Sequence, residues 1–253
     1  MKVCMIGSGN VATALSKLFV ENGISISSVY SRNIKHAQEL AGKINSIAVD
    51  GLSKLNDAEL IVVAVDDEAI NKVVSELNNK NATVVHCSGS VEMEILKPTG
   101  KNFGVLYPLQ SFSKDSTFVP KFPFIINGSN DLVKLELKKL CANLHHECFE
   151  MDDDQRSRIH LAAVFLNNFS NHVITIADTW LNENKLPTTL LLPLLETTFQ
   201  KIRTKGAEAS QTGPAIRNDV HVIEKHLQLL SQHPDWQKIY LALSNSIRNY
   251  YHS

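Results

Sequence analysis

Cysteine is scarce in this 253-residue chain: Cys4, Cys87, Cys141 and Cys148 stand apart, with no CxxC pair among them. That excludes the disulfide framework of a small secreted domain and the paired thiolates of a zinc ribbon, and it predicts reduced thiols. One stretch has a metal-like composition, His145-His146-Glu147-Cys148, but adjacent side chains diverge on a helix or a strand, so no metal site is expected. Long apolar runs are lacking too. The richest, residues 190–195, falls far short of the ~18 residues of a spanning helix and contains Pro193. The apolar stretch at residues 1–7 is too short for the core of a signal peptide, so a cytoplasmic protein is expected. Charge of one sign is also missing. The formal net charge is −1, and neither the first 150 residues nor the rest carries a basic excess. Without that excess there is no electrostatic footprint for nucleic acid or for an anionic membrane, and neither is expected as a partner.

What is present is an ordinary globular composition, 43% hydrophobic and 20% charged, far from that of disordered sequences and enough for one large domain or two modest ones. The first part alternates. Residues 2–6 read as a strand, a glycine turn follows, and residues 10–21 place Val11, Ala14, Leu15, Leu18 and Phe19 at helical spacing. Residues 24–30 are a second strand and 34–42 a second helix. Residues 60–65 form an uninterrupted apolar strand of the kind covered on both faces. A helix at 68–77, strands at 83–87, 102–106 and 123–127, and a helix at 131–144 continue the pattern. It predicts a parallel, doubly wound, Rossmann-like α/β sheet whose ligand crevice lies at the carboxyl ends of the strands. Near Asp152 the pattern changes. Acidic residues 152–154 suit the first turn of a helix, which is read through to about residue 184. Further helices are read at 187–203, 219–231 and 234–250, and no strand is expected beyond residue 150. The predicted organisation is an α/β domain at 1–151 followed by an all-α domain at 152–253.

The turn after the first strand reads Gly7-Ser8-Gly9-Asn10-Val11-Ala12, a GxGxxA pattern in its strand–turn–helix setting. The first glycine permits the tight turn, the second admits a pyrophosphate, and Ala12 lets helix and strand pack closely. Gly7, Ser8, Gly9, Asn10 and Val11 are the expected phosphate cradle, where exposed helix-start amides meet anionic oxygens. An acid is missing where the second strand ends. A carboxylate there would hold the ribose 2′-hydroxyl of NAD, yet the segment reads Val29-Tyr30-Ser31-Arg32-Asn33. Ser31 and Arg32 instead offer a hydroxyl and a guanidinium to a 2′-phosphate. NADP(H) is therefore the expected cofactor, and the same gap argues against an S-adenosylmethionine-dependent methyltransferase. Val65, Asp66 and Ser88, at the ends of later strands, complete the expected cofactor set; Asp66 and Asp67 either cap the next helix or touch the cofactor ribose.

The segments GSGNVATAL, VYSRN, VVAVDDEAI, VHCSGS, YPLQSF, PFIING, HLAAVFLNNFSNH and TGPAIRND together resemble the Rossmann-like NADP oxidoreductases of bacteria whose helical C-terminal domain has no assigned function. That family is related in architecture to pyrroline-5-carboxylate reductase and to the 3-hydroxyacid and 6-phosphogluconate dehydrogenases. The resemblance spans nearly the whole chain. It implies two domains, NADP(H) binding, and a helical domain of the 6-phosphogluconate dehydrogenase type that dimerises; it names no substrate. In the 3-hydroxyacid dehydrogenases a lysine on the first long helix after the nucleotide domain acts as acid or base, with an asparagine four residues on. Here no lysine occurs between Lys139 and Lys185, so that mechanism does not transfer.

Hydride transfer still needs a group that moves a proton or polarises a C=O or C=N bond. At about 100° per helical residue, His160 shares a stripe with Val164, Asn167, Asn171 and Asp178. His160, Asn167 and Asn171 are thus the candidate catalytic set, with the imidazole as acid or base. The other reading is that these groups satisfy backbone atoms or one another across a dimer interface. His172 falls on a different face and is a weaker candidate. Tyr107 and Gln110, leaving one strand, offer donors to a substrate carboxylate or carbonyl, and Arg217, after Thr212-Gly213-Pro214, suits an anionic substrate or an ion pair. The sequence therefore reads as an NADP(H)-dependent oxidoreductase acting on a C=O or C=N bond of a small, polar, carboxylate-bearing metabolite and dimerising through its helical domain. The alternative is a non-catalytic NADP-binding sensor.

Overall fold

The structure, a computed structural model, describes residues 1–77, 81–113 and 121–252. It divides into two compact units, residues 1–168 and 169–253. In the first, strands and helices follow in the order β1 (Lys2–Ile6), α1 (Asn10–Glu21), β2 (Ser25–Tyr30), α2 (Ile34–Lys43), β3 (Ala48–Val49), β4 (Leu60–Val63), α3 (Asp67–Glu76), β5 (Thr83–His86), β6 (Phe103–Pro108), β7 (Phe124–Gly128), α4 (Asp131–Asn143), β8 (Cys148–Glu150) and α5 (Asp153–Ala163). The strands form one sheet in the order β3-β2-β1-β4-β5-β6-β7-β8. Strand order reverses between β1 and β4, which opens a crevice at their carboxyl ends.

Alternation along β1 explains why both faces are covered. Val3 and Met5 belong to one apolar cluster with Leu15 and Phe19 of α1, Leu40 of α2 and Leu137 of α4. Cys4 and Ile6 point the other way, toward Ile70, Val73 and Val74 of α3. All of β4 is buried, as its unbroken apolar sequence predicts. Each such aliphatic side chain contributes about 2 kcal/mol of burial.

Three features depart from the sequence reading. β6 and β7 pair antiparallel, Gly104 opposite Gly128 and Pro108 opposite Phe124, because hydrophobic period carries no strand direction. β3 and β8 are two and three residues long, too short to show a period. The helix read from 152 to 184 is interrupted: α5 ends at Ala163, a π-helical turn spans Val164–Phe169, and α6 (Ser170–Glu183) follows. α5 itself opens on a reciprocal cap, with Asp152 Oδ1 accepting from the Gln155 amide at 2.8 Å and Gln155 Oε1 accepting from the Asp152 amide at 3.1 Å.

The second unit contains α6, α7 (Leu192–Lys205), α8 (Val220–Leu229) and α9 (Pro234–His252), and no strand among the described residues. His233 stacks on Trp236 with ring centroids 4.0 Å apart, meets Trp180 edge-on, and places Nε2 3.0 Å from Glu183 Oε2. His226 Nδ1 and the Tyr240 hydroxyl join α8 to α9 at 2.8 Å. Few apolar side chains of this unit are buried, whereas Leu190, Leu194, Phe199 and Ile202 are exposed. No helix among the described residues is long and apolar enough to cross a membrane.

Candidate active site

Five connections leave the carboxyl ends of β1, β2, β4, β5 and β6. After β1 the backbone turns at Gly7 with φ +122°, and a Cβ there would lie 2.0 Å from the Ala64 carbonyl oxygen. Only glycine fits both the left-handed conformation and the close approach. Gly9, by contrast, faces open space, with nothing within 4 Å of a Cβ built on it. It caps α1, whose start has neither a capping side chain nor an acid in its first turn. Elsewhere in this unit the helix starts are satisfied: Asn33, Asn130 and Asp152 cap α2, α4 and α5, and α3 carries Asp67 and Glu68 in its first turn. α1 alone among them presents an uncompensated positive end beneath an open glycine face, which fits a dinucleotide pyrophosphate. Ser8 Oγ donates to Ser31 Oγ at 2.8 Å and ties this turn to the end of β2. Arg32 beside it is exposed and free of any ion pair among the described residues, so its guanidinium is available to a 2′-phosphate.

After β5, Ser88 Oγ accepts the amides of Ser90 and Val91 at 3.1 and 3.0 Å, shaping a tight turn through Gly89. Ser90 Oγ donates to Asp67 Oδ2 at 2.5 Å. Gly89 is hemmed in by two other elements. A Cβ there would lie 2.6 Å from His160 Nδ1 on α5 and 2.9 Å from Tyr107 Cζ on β6. The Tyr107 hydroxyl is 3.0 Å from His160 Nδ1, and the half-buried rings meet edge to face. With the imidazole proton on Nε2, Nδ1 accepts the phenolic hydrogen; with the proton on Nδ1, the phenolic oxygen accepts it. Burial raises the Tyr107 pKa above its ordinary value, the Arg156 charge opposes this and the Asp67 charge adds to it. The phenol therefore holds its proton at neutral pH.

One turn before His160, Arg156 is 1% exposed. Its Nη1 lies 2.7 Å from Asp153 Oδ1, and Nη2 donates to the Val91 carbonyl. Asp153 Oδ2 in turn accepts the Met93 amide at 3.0 Å. His86, fully buried at the end of β5, accepts the Ser88 amide on Nδ1 at 3.2 Å. Burial, and then the Arg156 charge, push its pKa down to about 4, so it is neutral at pH 7. Sequence reasoning misses Asp153 and Arg156, because an acid in a first turn and an arginine in a charged stretch read as surface. The available signal was spacing, since positions 153, 156 and 160 share one helix face.

Of the residues singled out in the sequence, the structure gathers Gly7, Ser8, Gly9, Asn10 and Val11 at the start of α1 with Ser31 and Arg32 alongside, and separately brings Ser88, Tyr107 and His160 together. Between His160 and Asn171 the chain passes through the π-helical turn, which bonds i to i+5 and winds less per residue, so the α-helical count that links His160 to Asn167 and Asn171 applies only as far as Ala163. Asn167 is exposed within that turn, and Asn171 is exposed on α6 in the second unit. Asp66 occupies the cap position of α3 without a side-chain cap bond and is exposed, while Val65 is half-buried against the core. Gln110 turns back to accept the Ser111 amide at 2.8 Å, a local turn bond. Arg217 is exposed in the second unit, ahead of α8 and its cap Asp219. His146 Nδ1 bonds to the Phe122 backbone, and burial pushes the Cys87 thiol up to about 12.

Residues 2–89 match the family described as NADP oxidoreductase, coenzyme F420-dependent, and residues 122–247 match a domain of unknown function, DUF2520. A solved structure from Bacteroides fragilis, described as that of an NADP oxidoreductase by assignment, is 35% identical with a TM-score of 0.93 over 98% of both chains. An imine reductase from Myxococcus stipitatus in complex with NADP+ is 16% identical, with a TM-score of 0.67 over 98% of this chain and 93% of that one. A 1-pyrroline-5-carboxylate reductase from Streptococcus pyogenes is 12% identical, with a TM-score of 0.63 over 98% of both. The last two share the fold with this chain. None of the curated proteins matches it.

Proposed function

Since this chain belongs to the NADP oxidoreductase family, we propose that it binds NADP(H) on the start of α1 and transfers a hydride to or from the C=O or C=N carbon of a small polar metabolite. One observation carries this reading: the uncapped, glycine-faced start of α1 and the Tyr107–His160 pair lie along the same carboxyl edge of one sheet.

Bound NADPH supplies the hydride. Ser8 and Ser31 hold the turn in which the phosphates sit, and Arg32 offers charge-assisted bonds to the 2′-phosphate. Reduction of a C=O or C=N bond leaves negative charge on oxygen or nitrogen, which needs a proton. Tyr107, protonated at neutral pH and 3.0 Å from His160 Nδ1, donates it, and His160 restores the phenol. In the reverse direction the pair removes the proton. Gly89 leaves this pair room that any side chain would fill. The exposed apolar side chains of the helical unit support a homodimer formed through that unit.

The test is NADPH oxidation measured with a panel of keto acids, neutral ketones and imines, for the wild-type chain and for Tyr107→Phe and His160→Ala. Turnover that falls at least about a hundredfold in both variants, with NADPH affinity retained, is expected of a general acid pair. A preference for keto acids identifies a carboxylate on the substrate. Tight NADPH binding with no turnover of any compound would place the chain among non-catalytic sensors.

A further inference from the structure

We propose that Arg156 is the positioning residue of this site: buried, it locks the 88–93 loop onto α5 and thereby holds His160 against Gly89 and Tyr107. The purpose of that placement rests on the proton-transfer reading above; the geometry stands without it.

Three contacts define the lock. Arg156 Nη2 donates to the Val91 carbonyl, Nη1 binds Asp153 Oδ1 at 2.7 Å, and Asp153 Oδ2 accepts the Met93 amide at 3.0 Å. The guanidinium fork thus reaches the loop directly and, through Asp153, a second time two residues further on. From its other end the same loop is shaped by Ser88 Oγ, which takes the Ser90 and Val91 amides. Gly89 lies between these anchors, and its backbone abuts the His160 ring. His160 follows Arg156 by four residues, so the two side chains leave the same face of α5.

Stability does not explain this choice of residue. Burying an ion pair generally gains nothing over apolar residues of the same volume. Here the arginine is 1% exposed and its Nε makes no hydrogen bond among the described residues. What a planar fork provides, and an apolar side chain or a lysine does not, is two bonds in fixed relative directions. Immediately beyond the His160 turn, α5 gives way to the π-helical turn Val164–Phe169. The Arg156 contacts hold the His160 turn from the sheet side.

The experiment is long-range proton–nitrogen NMR of the histidine rings in the full chain, free and with NADPH, with His160 assigned by its loss in His160→Gln. Tyr107→Phe reports the shift that accompanies loss of the bond to Nδ1. Folded Arg156→Gln is expected to move the His160 signal in the same direction, and Arg156→Lys by less, while the His233 signal stays in place. A His160 signal at its wild-type position in folded Arg156→Gln would overturn the proposal. Should that variant not fold, Asp153→Asn, which weakens the same lock, is read in the same way. In turnover, Arg156→Gln is expected to cost about tenfold in kcat, but no more than about twofold when Tyr107 is already Phe, the signature of residues acting as one unit. Equal losses in both backgrounds would contradict it. If the wild-type chain turns over no compound, the proton-transfer reading fails, and the ring signals alone decide whether Arg156 positions His160.

Discussion

Gly7 and Gly9 stand two residues apart and do opposite things. Gly7 is required by the fold, since a side chain would strike the Ala64 carbonyl from a left-handed backbone; a Cβ on Gly9 would meet no atom within 4 Å among the described residues. Packing therefore leaves the second glycine open to the proposed pyrophosphate. Gly9→Ala should therefore leave stability within about 0.5 kcal/mol of wild type in chemical denaturation, while NADPH affinity measured by calorimetry falls at least about tenfold. Gly7→Ala should lose both. Arg32 carries the choice of nucleotide, and Arg32→Asp should shift preference toward NADH, read as the ratio of the two dissociation constants; unchanged NADPH affinity would remove Arg32 from the site.

At the scale of elements, the helices and buried strands of the first unit were legible because their period and apolar content are strong. β3 and β8 were not, being shorter than any period, and neither was the reversal of β7, which depends on pairing across the sheet. The glycine turn and the candidate His160 were readable for the same local reasons. Tyr107 was readable as a donor at a strand end, but its bond to His160 and the close approach of Gly89 were not, because they arise only through the fold. The π-helical turn is a local feature that period does not show, and it interrupts the angular count from His160 to Asn167 and Asn171 beyond Ala163. The end of β5 and the turn of α5 above it also form a pH-sensitive joint. An unfolded chain protonates His86 near pH 6.5, whereas in the folded chain the value is about 4, with Arg156, Asp153 and Asp67 as the charges acting on it. The unfolded state then binds more protons between these values, so folding stability falls as pH drops from 6.5 toward 4, by about 3 kcal/mol in all. Denaturant titrations at the two ends of that window should show this loss in the wild-type chain and a smaller one in His86→Asn.

For the whole molecule, the two units differ in how they use apolar residues. The sheet unit buries them on both faces, whereas the helical unit leaves Leu190, Leu194 and Phe199 exposed. Water tolerates such a surface poorly, and a second copy of the chain would cover it. Sedimentation of the wild-type chain should give a dimer, and Leu194→Glu with Phe199→Glu should shift it toward monomer; a wild-type monomer at all concentrations would remove the dimer from the account. The structure of the chain with NADPH bound is the decisive measurement on the sheet unit. The pyrophosphate is expected over Gly9 at the start of α1, and nicotinamide C4 about 7 Å from the Tyr107 hydroxyl, two near-attack contacts of about 3.5 Å with one substrate atom pair between them. A C4 atom beyond the span of a single bridging substrate from both Tyr107 and His160 would contradict that arrangement.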